Sequence, residues 1–355
     1  MQKWRIGDVT VTKIVELEVT GGTRFILPEA TREAGSPITW LKPHFMDDDG
    51  RLKMSVHALM VETPSRRIIV DTCLGNDKQG RTVPGWNNLQ GPFLRDLAAA
   101  GFPRESVDTV VCTHLHVDHV GWNTTQVDGQ WRPTFPNARY LMGRTEFQYW
   151  RDQREVAEQV SVFADSVQPV FDAGLVDLVS TDHRVCDEVS FVATLGHTPG
   201  HISIRISSKG ETALITGDFV HHPCQMARPE WAAIVDYDKS AIHSNAPRRV
   251  LHARRHTNAD DRDALRWRHC RARGPRRRRL SAGDALAIRR LVGPWRRGNW
   301  VTNPIADQAP VDRIFDHLRP FDLRSGRRCR FVLELRERLS TVAGRDRLHV
   351  LAACG

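Results

Sequence analysis

The feature that most constrains this chain is a run of metal-capable side chains that follows a strand-like apolar run. Residues 113–119 read THLHVDH. Alternate residues of an extended segment project to the same side, so His114 and His116 can reach one metal ion. Asp118 and His119 follow at a turn, from which they can reach a second ion nearby. The pattern therefore predicts a metal site at the end of a buried strand.

The side chains in this run also suggest which metals could bind. Imidazole and carboxylate groups suit zinc, and they also suit manganese, iron or cobalt. Two ions about 3.5–4 Å apart can hold a bridging hydroxide, which is a nucleophile at neutral pH. We therefore predict two divalent metal ions as cofactors, with zinc preferred and manganese, iron or cobalt as alternatives.

The composition of the chain changes abruptly near residue 240. Of the 355 residues, residues 1–240 contain 24 basic and 31 acidic side chains, a net charge of −7. Residues 241–355 contain 27 basic and 11 acidic side chains, a net charge of +16, and all 27 basic residues are arginine. We predict a folded domain over residues 1–240 and an atypical arginine-rich tail over residues 241–355.

Hydrophobic periodicity in the first part is typical of an α/β protein. Helical spacing predicts helices over residues 91–102 and 144–160. Apolar runs predict strands over residues 9–19, 55–63, 66–73, 107–116, 138–143, 175–180 and 189–196, and a hairpin over residues 201–218.

Targeting signals and cysteine pairs are not visible in the sequence. The N-terminus lacks the charged and apolar regions of a signal peptide. No run of about 18 apolar residues occurs, so we expect no membrane span. The seven cysteines are widely spaced and form no CxxC pair. A reducing, cytoplasmic location is therefore predicted.

Four segments of the chain resemble motifs of the metallo-β-lactamase superfamily, and they occur in that superfamily's order. They are IIVDTCLGN (68–76), THLHVDH (113–119), LGHTPGH (195–201) and ITGD (215–218). The resemblance extends over roughly residues 5–240. It implies an αββα sandwich, a four-layer α/β fold with the metal site at one edge of its two sheets.

The resemblance also implies a role for individual side chains. Six would bind metal: His114, His116 and His197 the first ion, Asp118 and His119 the second, and Asp218 both. Asp118 and Asp218 would also be the catalytic residues, because they position the hydroxide. Metal-bound histidines usually donate their other N–H to a carboxylate or carbonyl. Asp71 is expected to accept such a hydrogen bond, and His201 to support the site rather than bind metal.

The long N-terminal region is most similar to the branch of lactonases and organophosphate-hydrolase-like enzymes. The similar segments are residues 20–31, 37–63 and 75–93. This similarity implies a small-molecule lactone or related ester as substrate. Five residues are candidates to line the pocket: Trp40, Phe45, Trp86, His221 and His222. Taken singly, each of them could equally be a packing residue.

The sequence departs from the superfamily pattern at one ligand. Another histidine normally completes the second metal site, and here it would fall near residues 263–268, where none occurs. His252, His256 and His269 have no apolar strand before them. A lysine-free, arginine-rich tail is typical of GC-rich DNA read out of frame. We therefore hypothesise that a frameshift near residues 240–245 removed or altered the closing strand, its helix and the histidine.

Three alternatives remain open at this point. The chain could instead be a mononuclear iron sulfur dioxygenase, because enzymes of that class share the fold and most of the motifs. The arginine-rich tail could bind nucleic acid, although the net charge of −7 over residues 1–240 disfavours a nucleic-acid channel there. A frameshifted chain could also be an inactive relative with an exposed sheet edge. Residues 245–280 show no sustained hydrophobic period, so we predict that much of this segment is disordered or packs loosely.

Overall fold

The fold is known from a computed structural model that describes residues 2–22, 25–238 and 347–351, the last segment by its backbone only. All of these residues belong to one compact unit. The predicted disorder of residues 245–280 and the candidate ligand His269 lie outside the described residues. Within the described part, no helix has the length and apolarity needed to cross a membrane.

Two sheets and a small hairpin contain the strands. The first sheet has the order β1 (Gln2–Ile6), β2 (Val9–Thr20), β3 (Lys53–Glu62), β4 (Arg67–Val70), β5 (Thr109–Cys112), β8 (Arg139–Gly143) and β9 (Val176–Val179). Strands β1 to β4 are antiparallel, and β4, β5, β8 and β9 are parallel. The separate hairpin consists of β6 (Thr124–Val127) and β7 (Gln130–Pro133).

The second sheet has four strands, in the order β10 (Val189–Ala193), β11 (Ile202–Ser208), β12 (Glu211–Ile215) and β13 (Arg347–Leu351). Strands β10, β11 and β12 are antiparallel neighbours. Strand β13 comes from the far end of the arginine-rich tail and pairs in parallel with β12. The predicted hairpin over residues 201–218 is confirmed: it turns at Lys209 and Gly210, both with positive φ.

The helices are short. They are α1 (Arg32–Gly35), α2 (Phe93–Ala99), α3 (Val117–Val120), α4 (Arg144–Asp152), α5 (Ala157–Val162), α6 (Gln168–Asp172) and α7 (Cys224–Ala227). A π-helical segment, Phe163–Val167, joins α5 to α6. The single helix predicted over residues 144–160 is wrong, because α4 ends at Asp152 and α5 begins at Ala157.

Alternating side chains divide the core into two layers. In β5, Val111 packs between the two sheets, whereas Val110 and Cys112 face the layer of helices α2 and α4. Phe147 of α4 belongs to that helical layer. Each large apolar side chain buried in this way contributes about 1.5–3 kcal/mol. The predicted α/β fold, an αββα-type sandwich with two sheets packed together, is confirmed.

The direction of the strands determines where the polar motifs meet. Strands β4 and β5 are parallel within the first sheet. Strands β10 and β12 also run in one direction, because each is antiparallel to β11. The segments that follow these four strands carry the motifs and come together at one edge of the sandwich, where their side chains are in contact.

Candidate metal centre

The turn after β4 is fixed against the segment that follows β5. Asp71 and Cys73 have left-handed φ values of 57° and 53°. The Thr72 amide donates to the His119 carbonyl at 2.7 Å, and the Gly121 amide donates to the Cys73 carbonyl at 2.7 Å. A Cβ at residue 121 would lie 1.8 Å from a backbone oxygen of the turn, so only glycine fits. These contacts hold α3 directly against the turn.

Three histidine nitrogens converge beside this turn. Nδ1 of His116 lies 3.0 Å from Nε2 of His114 and 2.9 Å from Nε2 of His197. The two Nε2 atoms of His114 and His197 are 3.2 Å apart. Nitrogens bound to one tetrahedral zinc ion at about 2.0–2.1 Å lie about 3.3 Å apart. The triangle therefore has the size of a three-histidine metal site.

A second group of ligand atoms adjoins the first. Nε2 of His119 lies 3.3 Å from Oδ1 of Asp218 and 3.6 Å from Oδ2 of Asp118. The other oxygen of Asp218, Oδ2, lies 3.7 Å from Nε2 of His197. The Asp218 carboxylate therefore faces both groups, with one oxygen directed toward each.

Burial and neighbouring charge determine the protonation of these histidines. Burial lowers the pKa of His114 and His116 well below the usual value and that of His197 to about 3. Neutral imidazole is the form that binds metal. Burial alone would lower the pKa of His119 as well, but carboxylates led by Asp218 raise it well above the usual value. His119 thus occupies a position that favours a positive charge.

Hydrogen bonds orient the rings from outside. Oδ2 of Asp71 lies 2.9 Å from Nδ1 of His119, and Oδ1 of Asp236 lies 2.8 Å from Nδ1 of His197. His201 accepts the amide N–H of Asp218 at its Nε2 (3.0 Å), and its Nδ1 lies 2.8 Å from the Thr194 hydroxyl. Both His201 nitrogens are therefore engaged in hydrogen bonds.

Several buried polar atoms at this edge have no hydrogen-bond partner among the described residues. They are Nε2 of His119, Oδ1 of Asp218 and both ring nitrogens of His221, whose Nε2 lies 3.5 Å from Oδ2 of Asp218. Each unsatisfied buried group costs about 1–3 kcal/mol. Such atoms gathered around one carboxylate, together with imidazole and carboxylate donors, fit the binding of divalent metal.

The other predicted pocket residues are involved in packing. Nε2 of His222 lies 3.1 Å from the Phe45 carbonyl, and its Nδ1 accepts the Cys224 amide at 3.1 Å. Trp40 and Phe45 pack on the apolar cluster of the N-terminal region. Trp86 packs on the core beneath the helices. Of the five candidates, the structure therefore brings His221 against the metal-capable residues.

Three carboxylates of the site were not predicted from the sequence: Glu16, Glu146 and Asp236. Each comes from a segment without a recognisable motif, and none is adjacent in sequence to a predicted ligand. Burial raises the pKa of Glu16 and Glu146, and hydrogen bonds from several donors oppose that change. Only the fold reveals their position.

Comparison with known proteins gives the family of this chain. The family model of the Metallo-beta-lactamase superfamily matches residues 52–263, more than half of the chain. The chain therefore belongs to the metallo-β-lactamase superfamily. Among curated relatives, an N-acyl homoserine lactonase from a Bacillus species is 24% identical over 180 residues, and one from Bacillus cereus is 23% identical. Each alignment covers 47% of this chain and only 64% of the relative's length.

Solved structures share the fold. A probable metal-dependent hydrolase from Staphylococcus aureus has a TM-score of 0.57 at 17% identity, over 70% of this chain and 86% of that one. The hydrolase AbOPH of the β-lactamase superfamily has a TM-score of 0.57 at 24% identity, over 70% and 84%. AidC, a dizinc quorum-quenching lactonase, has a TM-score of 0.56 at 20% identity, over 71% and 85%.

Proposed function

We propose that this chain is a metal-dependent hydrolase that uses two divalent ions to open a lactone or a related ester. The observation that carries the proposal is the pair of ligand groups that share Asp218, one with three histidines and one with His119 and Asp118. Curated relatives named as lactonases, and a structural neighbour described as a dizinc lactonase, support the same activity.

The grouping of the donor atoms supports one assignment of residues to the two ions. His114, His116 and His197 would hold the first, His119 and Asp118 the second, and Asp218 would bind both. Bound ions of this kind polarise a carbonyl and lower the pKa of a bound water to about 7. We expect the second ion to bind more weakly, because only three described side chains would hold it.

Neighbouring carboxylates orient the imidazoles toward the centre. Asp236 accepts the Nδ1–H of His197, which leaves its Nε2 lone pair free to face the centre. Asp71 accepts the Nδ1–H of His119, whose Nε2 also faces the centre and would give up its proton when metal binds. The Thr113 hydroxyl, 3.1 Å from Nδ1 of His114, orients that ring in the same way. The rings therefore do not need to reorient when metal binds.

His221 is our candidate for a hydrogen-bond donor to the substrate. It is buried, its Nε2 lies 3.5 Å from Oδ2 of Asp218, and both ring nitrogens lack a hydrogen-bond partner among the described residues. An imidazole always carries at least one N–H to donate. We propose that this N–H stabilises the negative charge that develops on the carbonyl oxygen. Removal of one such donor typically lowers turnover by about 10²–10³-fold.

Metal analysis combined with an activity screen tests this function. Purified protein should contain close to two zinc-like ions per chain after metal loading, and it should release acid from acylated lactones in a pH-stat assay. Aryl esters and a phosphotriester complete the panel. One iron per chain with no hydrolysis would instead indicate an oxygenase and contradict the proposal. His221→Phe should retain both ions while turnover falls, and loss of metal would show that His221 is a ligand.

A further inference from the structure

The carboxylate of Glu146 lies outside the ligand set but joins two of its loops. This residue is buried in the first turn of α4. Its Oε1 accepts the Leu115 amide at 3.1 Å and the Trp150 indole N–H at 2.6 Å. Its Oε2 accepts the Thr198 hydroxyl at 2.7 Å and the Gly200 amide at 3.0 Å. One carboxylate therefore satisfies four donors.

Three of these donors connect the two sheets at the first metal position, and the fourth, Trp150, lies on α4 with Glu146. Leu115 lies between His114 and His116, in the segment that follows β5 of the first sheet. Thr198 directly follows His197, in the segment that follows β10 of the second sheet. A Cβ at Gly200 would lie 2.3 Å from the Glu146 amide nitrogen, so this loop packs directly on α4. Glu146 thus bonds to both segments that carry the three histidines of the first group.

A second carboxylate, Glu16, occupies an equivalent position for the other half of the centre. The pairing of β2 with β3 shifts register at Glu16, between residues 15 and 17, which is a β-bulge. Bulges redirect a side chain away from the regular alternation of a strand. Its Oε2 accepts the Leu74 amide at 2.7 Å. Its Oε1 accepts the Gly75 amide at 3.2 Å and the Trp122 indole N–H at 2.6 Å.

The donors to Glu16 come from two segments that are next to the second metal position. Leu74 and Gly75 end the turn that begins at Asp71, the partner of His119. Trp122 follows α3, which contains Asp118 and His119. Glu16 therefore joins the turn after β4 to the segment that provides both ligands of the second group.

We propose that Glu146 and Glu16 are positioning residues, each of which sets the geometry of one metal position without contacting a metal. Glu146 acts on the first position and Glu16 on the second. This proposal rests on the proposed dinuclear function. A glutamine in place of Glu146 retains one acceptor oxygen, so in either amide orientation two of the four donors face an NH2 group. The same substitution at Glu16 leaves at least one of its three donors unsatisfied.

The test compares Glu146→Gln and Glu16→Gln by chelator-competition zinc titration. Each is combined with His116→Ala, which leaves the second position, or with Asp118→Ala, which leaves the first. Glu146→Gln should lower zinc affinity at the first position by about 10–100-fold, as loss of a hydrogen-bond partner of a ligand typically does. It should change zinc affinity at the second position by less than about threefold. Glu16→Gln should instead lower zinc affinity at the second position and leave the first nearly unchanged. Glu158→Gln is the matched control, because its carboxylate accepts an exposed amide away from the centre.

Milder variants cover the case in which a glutamine variant fails to fold. Thr198→Val removes one donor to Glu146, and Trp122→Phe removes one donor to Glu16. Each should weaken zinc binding at its own position by a smaller factor in the same direction. Equal weakening of both positions, or unchanged affinity in all four variants, would overturn the positioning roles. A wild-type chain that binds no metal would instead refute the proposed function.

Discussion

Asp71→Asn is the substitution that most directly tests how the second metal position is oriented. Oδ1 of Asp71 accepts the Thr113 amide at 2.7 Å. Its Oδ2 accepts the Thr113 hydroxyl at 2.8 Å and lies 2.9 Å from Nδ1 of His119. Asparagine adopts the left-handed φ of this position readily, so the turn should persist. Its amide oxygen can accept the Thr113 amide, but its NH2 group then faces Nδ1 of His119.

The expected loss of metal affinity follows from removal of the carboxylate oxygen that accepts the Nδ1–H of His119. Removing the acceptor of a metal-bound histidine typically lowers metal affinity by about 10–100-fold, or about 1.4–2.8 kcal/mol. The first metal position should change less, because Asp71 contacts none of its histidines: it reaches His114 only through the Thr113 hydroxyl, and His197 is held by Asp236. Asp71→Asn should therefore lower second-site affinity selectively.

Zinc titration against a competing chelator measures the two affinities. Asp71→Ala is the comparison variant, because alanine also incurs about 1–2 kcal/mol in the left-handed region. Asp71→Ala should lose more stability in urea unfolding than Asp71→Asn does, while both variants lower zinc affinity at the second position. If Asp71→Asn bound the second ion within about twofold of the wild-type affinity, Asp71 would not orient His119 and the reasoning would fail.

Further predictions concern other parts of the chain. His116→Ala should lower first-site zinc affinity and turnover by more than about 100-fold. Loss of a residue that only hydrogen-bonds to a metal ligand already lowers metal affinity by about 10–100-fold, and His116 is itself a ligand. Unchanged metal content would contradict that role. Asp118→Asn should reduce turnover more than first-site occupancy, as kinetics with metal analysis can show. Burial lowers the pKa of Lys78 to about 7, from an ordinary value of 10.5. The folded chain therefore binds fewer protons than the unfolded chain between these values, so stability should rise with pH across this window. In urea unfolding, the free energy of unfolding of Lys78→Met should depend less on pH across this window than that of the wild type. Correction of a frameshift near residues 240–245 should raise second-site zinc affinity and hydrolysis together. If resequencing of the gene finds no alternative frame that encodes an apolar strand ending in histidine, the frameshift hypothesis is excluded.

The elements that depend on local periodicity were predictable. The alternation over residues 9–19 corresponds to β2, and the apolar run that includes β5 corresponds to a buried strand. The clustered motif of residues 113–119 indicated metal chemistry because its ligands lie close together in sequence. Strand β1 and the β6–β7 hairpin were not predicted, since their short segments contain mostly polar or exposed residues.

Long-range contacts account for what the sequence could not reveal. Glu146 is 52 positions from Thr198, and Glu16 is 106 positions from Trp122. Asp236 is 39 positions from His197. A single carboxylate in an ordinary helix or strand has no pattern that distinguishes it from a solvated one. Its role depends on which loops the two sheets bring to it, and that is a property of the packing.

The position of the centre between two sheets also has a consequence for how the chain folds. The nitrogens of His116 and His197 are 2.9 Å apart, although 81 residues separate them in sequence. Contacts of such separation form late, because a long loop must close before they contribute. The site can therefore exist only after the sheets have docked in their final register. Metal uptake during refolding should then follow the last kinetic phase, and a fluorescent zinc indicator would report completion of the native state.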